Sequence, residues 1–228
     1  MQLSWSSRIC TVYLAAAFLP MTFAAAAPSS SRNVTVDDTL GSADGSAKVM
    51  YSPPDAWKTG QNCTDCEVKT VDKNSALNGT WHEADYNVSK QSSITATLLF
   101  EGSAVYAYGM VPHDGSNITS NIYLSFILDD TDVGAFVRTP DGNGTTEYNV
   151  LLYSKDGLSS DKHNLTMVVG NPRFGGPQSV ALLDYFVFTQ SNSSSTSDAM
   201  GLSPGLVPTA SVLAFSVVIP IIGFLLGA

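Results

Sequence analysis

From Ser92 to Phe100 apolar and polar side chains alternate, with Ile94, Ala96, Leu98 and Phe100 on one side and Ser93, Thr95 and Thr97 on the other. A repeat of two predicts a strand with one buried face. Segments 105–111, 122–128, 133–139, 148–153, 164–169 and 180–189 share this habit and are rich in aromatic and β-branched residues, which suit a pleated, half-buried surface. Turn formers separate them: EGS at 101–103, DDTDVG at 129–134, PDGNG at 140–144, KDG at 155–157 and NPRFGGP at 171–177. Short strands recurring every ~8–12 residues, with no amphipathic helix between, predict an all-β fold of two packed antiparallel sheets. Before Ser92 the pattern loosens. Strands are expected at 34–40, 48–52 and 67–70, and 76–85 reads equally as strand or loop. No repeat of ~20–50 residues is visible, which sets propellers and solenoids aside.

Both ends of the chain depart from this pattern. Residues 1–26 carry one charge, Arg8, then an apolar run from Ile9 to Leu19 and a string of alanines, the layout of a signal peptide with cleavage after Ala26. The apolar run is shorter than the ~20 residues that cross a bilayer. Residues 27–32 read as a flexible arm, 33–190 as the sandwich, 191–205 as a Ser/Thr-rich stalk and spacer, and 206–228 as a hydrophobic C-terminal segment. No charged residue follows Asp198, whereas a spanning helix ends in Lys or Arg on its cytoplasmic side. Small residues, a short spacer and an apolar tail match a glycosylphosphatidylinositol signal, with Ser197 as attachment site and Ser195 or Asn192 as alternatives. A transmembrane helix interrupted by Pro220 is the competing reading of the same tail. Either way the expected location is the extracellular face of the plasma membrane or the cell wall, with the membrane held through the C-terminus.

Charge and cysteines narrow the picture. With 11 Lys+Arg against 20 Asp+Glu, a formal net charge of -9, the chain lacks the clustered cations that phosphate binding needs, so no nucleic-acid partner is expected. Of three cysteines, Cys10 lies in the leader, leaving Cys63 and Cys66. An even pair in an oxidising compartment predicts a disulfide. The thiol-oxidoreductase reading of CTDC needs a helix start, but the motif sits in the polar loop KTGQNCTDCEVKT. A tetrahedral zinc site needs more ligands than two sulfurs. Asn-x-Ser/Thr sequons at Asn33, Asn78, Asn87, Asn117, Asn143, Asn164 and Asn192 predict N-glycosylation; Asn62, followed by Cys63, is the least suited of the eight.

The succession AKVMYSPPDAW, CTDC, ALNGTWHEADY, SSITATLLFEGSAVYAYG, SFILDDTDVGAF, EYNVLLYSKDGLSSDKHNLTMVV and VALLDYFVFT resembles the galactose-binding-like jelly-roll module of many secreted or membrane-anchored proteins of mushroom-forming fungi. The matching motifs are Phe100 through Gly109, Leu128 with Asp129 and Asp130, Leu158 with His163 and Leu165, and Leu183 through Tyr185. Asp130 stands where the family has a turn glycine. The resemblance spans about residues 36–189 and rests on the order of the motifs. It implies a jelly-roll β-sandwich.

No reactive centre emerges. His82, His113 and His163 read as hydrogen-bonded structural or loop residues, and no G-x-S-x-G turn is present to carry a Ser/His/Asp triad. Asp37, Asp38, Glu83 and Asp85 offer carboxylates for glycoside hydrolysis, yet solvated turn and cap roles explain them more simply. Asp129, Asp130 and Asp132 read as a hairpin turn before a calcium site, and Asp184 as a structural hydrogen-bonder. The candidate ligand site is Trp57, Trp81, His82, Asp85 and Tyr86, in the irregular first third: flat rings suit the apolar faces of sugars, and carboxylate and imidazole suit their hydroxyls. The alternative is that Trp57 and Trp81 pack beneath loops. The expectation is a non-catalytic module without cofactor or metal, binding carbohydrate or cell-wall polysaccharide. A structural wall or adhesion glycoprotein and a glycoside hydrolase are the alternatives.

Overall fold

The computed structural model describes residues 30–90, 93–114, 120–170 and 178–192, apart from the Asn192 side chain. The expected leader, Asn117, Ser197 and the C-terminal segment lie outside them. The described residues form twelve strands: β1 (Ser30–Asp37), β2 (Gly41–Ser42), β3 (Val49–Ser52), β4 (Trp57–Thr59), β5 (His82–Asn87), β6 (Ile94–Glu101), β7 (Ala104–Pro112), β8 (Ile122–Leu128), β9 (Thr131–Arg138), β10 (Thr146–Lys155), β11 (Lys162–Val169) and β12 (Gln178–Asn192). Every pairing is antiparallel, and the strands make two sheets facing each other, the β-sandwich that the alternation predicts.

The first sheet runs β10-β7-β12-β1-β2, and β5, with β4 outside it, pairs with the first half of β12. The second runs β3-β6-β11-β8-β9. Long β12 is the spine: one edge takes β5 and then β1, the other takes β7. Period-two side chains from both sheets meet between them. Ile94, Ala96, Leu98 and Phe100 of β6 face Phe186 and Phe188 of β12 across a core that also holds Phe126, Leu165 and Met167. Each such large side chain contributes about 1.5–3 kcal/mol by leaving water.

Three sequence expectations shift. Pairing starts at Ser30 and runs to Asn192, so the sheet takes in residues 30–32 of the expected arm and 191–192 of the expected stalk. Residues 67–70 form no ladder, because their segment crosses the outside of a sheet instead of joining it. The ambiguous 76–85 stretch divides into a 3-10 turn at Leu77–Gly79 and strand β5. The β8–β9 hairpin keeps a two-residue turn without glycine: Asp129 and Asp130 both take positive φ, 49° and 63°, between paired Leu128 and Thr131. Positive φ at both central residues is what a type I′ hairpin turn requires, and aspartate tolerates it.

Candidate functional site

The connection from Gly60 to Trp81 is long and carries only isolated 3-10 turns, at Gly60–Asn62, Lys73–Ser75 and Leu77–Gly79. It forms a strap over the first sheet. On β5, Ala84 and Tyr86 point into the core, so Glu83 and Asp85 point outward, beneath the strap. Backbone N–H groups that no ladder serves must find other acceptors, and buried acids supply them. The Glu67 N–H donates to Glu83 Oε1 at 2.6 Å, and the Leu77 N–H to Asp184 Oδ1 at 3.0 Å. Asn78 Nδ2 donates to Asp37 Oδ2 at 2.8 Å, and Thr80 Oγ1 to Asp38 Oδ1 at 2.8 Å. Lys58 Nζ ties Asp85 Oδ2 (2.9 Å) to the Asp65 carbonyl oxygen (2.7 Å). The far side is held where the Asp72 N–H donates to the Tyr148 hydroxyl oxygen of β10 at 2.6 Å. The expected disulfide is present, Cys63 to Cys66 with Cα atoms 5.6 Å apart, and staples the start of the strap.

Burial beneath the strap changes the acids. It pushes the Glu83 carboxyl up to about 7, with Asp85 adding to the rise and the Glu67 and Val68 amides and Lys58 opposing it. It likewise carries Asp184 up to about 7, against the Leu77 N–H and with Asp38 and Asp37 adding. These groups hold the strap by hydrogen bonds, and they do not line its cleft.

That cleft, about 340 Å³, opens between the two limbs of the strap. Trp81 lines it with Gln61, Lys69, Asp72, Lys73 and Asn74. Trp81 is 6% exposed, and its indole Nε1 has no partner among the described residues. A buried indole N–H ordinarily finds an acceptor. Gly60 makes the close packing possible, because a Cβ there would lie 1.9 Å from that nitrogen. Asn74 Nδ2 donates to Asp72 Oδ1 at 2.9 Å, so amide and carboxylate form one preset polar edge. Gln61 Oε1 accepts the Trp81 backbone N–H at 3.3 Å, and Lys69 Nζ donates to the Thr64 carbonyl at 3.0 Å.

The structure breaks up the five residues expected to bind together. Trp57 and Tyr86 are core residues, 7% and 3% exposed, so their ring faces pack mainly inside, and Tyr86 borders only a separate concavity of about 80 Å³ with Asp85. Trp57 Nε1 donates to the Thr95 carbonyl at 3.1 Å, and the Tyr86 ring fills the space that a Cβ on Gly170 would take. His82 is bonded through Nδ1 to Asp38 Oδ2 and stacks on Tyr51, centroids 4.2 Å apart. Asp85 is engaged by Lys58. Trp81 alone of the five lines the strap cleft. Its partners Gln61, Lys69, Asp72, Lys73 and Asn74 belong to the non-periodic stretch, where a long loop with a cysteine pair near its start was the available signal.

A second concavity, about 520 Å³ and predominantly apolar, lies at the end of the sandwich where β12 finishes, over Phe100 and Phe188. Asp129 and His163 border it. His163 Nδ1 lies 2.7 Å from Asp129 Oδ2, and its Nε2 lies 3.3 Å from Ser159 Oγ, a Ser/His/Asp grouping that no motif announced. The same Nε2 is 3.1 Å from the Ser159 carbonyl oxygen. Burial alone would lower this imidazole, but Asp129 and the Ser159 carbonyl raise it above its ordinary value. In its protonated form, which these acceptors favour, the ring donates from both nitrogens and ties the β8–β9 turn to the β10–β11 loop.

No protein-family model matches the sequence, and no curated protein matches it. Among solved structures the chain is similar to the Agl-KA catalytic domain, at 9% identity and TM-score 0.37, over 76% of this chain and 30% of that one. It is also similar to the CBM36-1 domain of a multidomain xylanase from the hindgut metagenome of Trinervitermes trinervoides, at 10% identity and TM-score 0.27, over 46% and 94% of the two chains. The family 32 CBM from C. perfringens NanJ in complex with galactose follows, at 11% identity and TM-score 0.27, over 68% and 99%. Weakly matched carbohydrate-binding modules are thus among its structural neighbours, and similarities this low say nothing of what this chain binds.

Proposed function

We propose that this chain is a non-catalytic, saccharide-binding glycoprotein module held at the outer face of the cell, with the strap cleft as its binding site. The observation that carries the reading is Trp81, whose buried indole N–H lacks a partner among the described residues and which lines a cleft with a paired carboxylate and amide and two ammonium groups on its rim. A hydroxyl-rich ligand supplies an acceptor to that N–H and matches the mixed donors and acceptors around it. The volume falls in the ~300–1,000 Å³ range of ligand sites. Hydrolysis would need two carboxylates facing one substrate, and Asp72 is the only one among the described residues lining the cleft. The outer-face location is supported by the signal-peptide layout of residues 1–26, the uncharged tail 206–228 and the sequons.

The test is a glycan and wall-polysaccharide array probed with the secreted protein and with Trp81→Phe, which keeps an aromatic ring and removes the N–H. Loss of one hydrogen bond to a buried donor is expected to weaken binding about tenfold, with the sandwich retained and the melting temperature lowered by the space the smaller ring leaves. A wild type that binds no glycan, or a Trp81→Phe protein that binds as well, overturns the reading. Exposed sequon asparagines at positions 33, 62, 78 and 143 favour a second reading, a structural wall glycoprotein without a small ligand. An empty array would select it.

A further inference from the structure

Asn164 lies in β11 directly opposite Leu99 of β6, and both line the 520 Å³ groove at the end of the sandwich. Leu99 is 54% exposed, a large apolar side chain left at the mouth of a groove floored by Phe100 and Phe188, whose rings lie 5.7 Å apart. Glu101 and Lys162, also cross-strand neighbours, and Gln190 place polar groups around this apolar floor. The sequon Asn164-Leu165-Thr166 is complete, and Thr166 Oγ1 donates to Asn164 Oδ1 at 3.3 Å, so the amide carbonyl is held from its own strand.

We infer that this groove is the seat of the chain's own N-linked glycan, whose first N-acetylglucosamine residues extend from Asn164 over Leu99 and the groove floor. The occupant follows from the attachment point, because a sugar joined to an asparagine in the lining cannot avoid the surface beside it. It follows also from chemistry. A pyranose ring has an apolar C–H face to set against Leu99, and hydroxyl and acetamide groups for Glu101, Lys162 and Gln190. The inference rests on the secretory reading above, since only a chain that enters the glycosylation pathway acquires this sugar.

Asn143, on the exposed β9–β10 loop, provides the internal comparison in the full secreted chain. Peptide mass spectrometry reports both sites. Glycan at Asn143 but not at Asn164 overturns the seat, whereas glycan at neither overturns the secretory reading beneath it. With both occupied, peptide-N-glycosidase is expected to release the Asn143 glycan from native protein at least about tenfold faster, as a sugar packed on protein is reached only by local opening. Both are released alike after denaturation. Asn164→Gln is expected to lower Tm by about 3 °C in the glycosylated protein and to leave it unchanged in unglycosylated protein made in a bacterial periplasm. Equal native release rates, or a Tm loss as large without glycans, overturns the inference.

Discussion

Glu83→Gln tests whether buried acid holds the strap. Glu83 is fully buried under it, Oε1 accepts the Glu67 N–H, and Oε2 has no partner among the described residues. Its carboxyl moves from an ordinary 4.5 to about 7. A carboxyl raised in this way binds its proton more tightly in the folded chain than in the unfolded one. Its contribution is therefore fully present below about pH 4.5 and is lost as pH climbs through 7. A rise of this size corresponds to on the order of 3 kcal/mol of stability between the two limits. Glutamine keeps the Oε1 acceptor and never ionises, so it resembles the protonated acid at every pH. Urea unfolding is expected to give similar stabilities for both proteins at pH 5. At pH 8 the glutamine variant is expected to be the more stable, by up to about that amount. Hydrogen exchange adds a local readout: the Glu67 and Val68 amides are expected to exchange faster relative to the core strands at pH 8 than at pH 5 in the wild type, and not in the variant. Asp184, raised by the same burial, keeps a residual slope of the same sign in both proteins. If Glu83→Gln follows the wild-type pH dependence, or is destabilised at pH 8, the carboxyl does not hold the strap in the way described.

Gly60→Ala places a methyl 1.9 Å from Trp81 Nε1 and 2.2 Å from Cε2; overpacking of this kind is expected to cost about 1–3 kcal/mol in urea unfolding and to abolish saccharide binding with the sandwich intact, and a variant as stable as wild type that still binds refutes the packing. His163→Gln removes a group raised by Asp129 and the Ser159 carbonyl. A raised histidine stabilises the fold below its unfolded value and ceases to do so as pH rises through its folded one, so the variant is expected to lose about 1 kcal/mol at pH 5 and less at pH 8; a larger loss at pH 8 contradicts a protonated clamp.

The sandwich was legible because its strands bury one face each. Ile94 to Phe100 alternates throughout, and an alternating strand admits one register against the core; β12 alternates only from Asp184 to Phe188, because Ser179 to Asp184 is buried on both faces. The Asp129-Asp130 hairpin was less legible, since its geometry is set by positive φ, which glycine would have announced and aspartate only permits. Position in the irregular first third pointed to the region of Trp81, but composition could not separate Trp81 from Trp57. Both tryptophans are buried; what distinguishes them is that Trp57 Nε1 reaches the Thr95 carbonyl across the sandwich, whereas Trp81 Nε1 meets no described acceptor. That contrast depends on which strand lies within about 3 Å, and no local pattern encodes it. The pairing of Ser159 with His163 and Asp129 is hidden for the same reason: two of the three are four residues apart, but the third comes from a different hairpin.

A loop as long as 60–81 without strand or α-helix is uncommon in a compact domain and ordinarily marks function. Lying against a sheet, it must satisfy backbone donors that solvent no longer reaches. Here Glu83 and Asp184 accept from the Glu67 and Leu77 amides, Asp37 and Asp38 accept from the Asn78 and Thr80 side chains, and Asp72 accepts from Asn74. Of the acids that suggested hydrolysis, Asp37, Asp38 and Glu83 are thus bonded in shaping the loop and Asp85 to Lys58, and burial raises Glu83 as it raises Asp184. On the proposed reading, recognition in the cleft falls to the neutral indole donor, the Asp72-Asn74 edge and the two lysines, a set suited to holding hydroxyls in place.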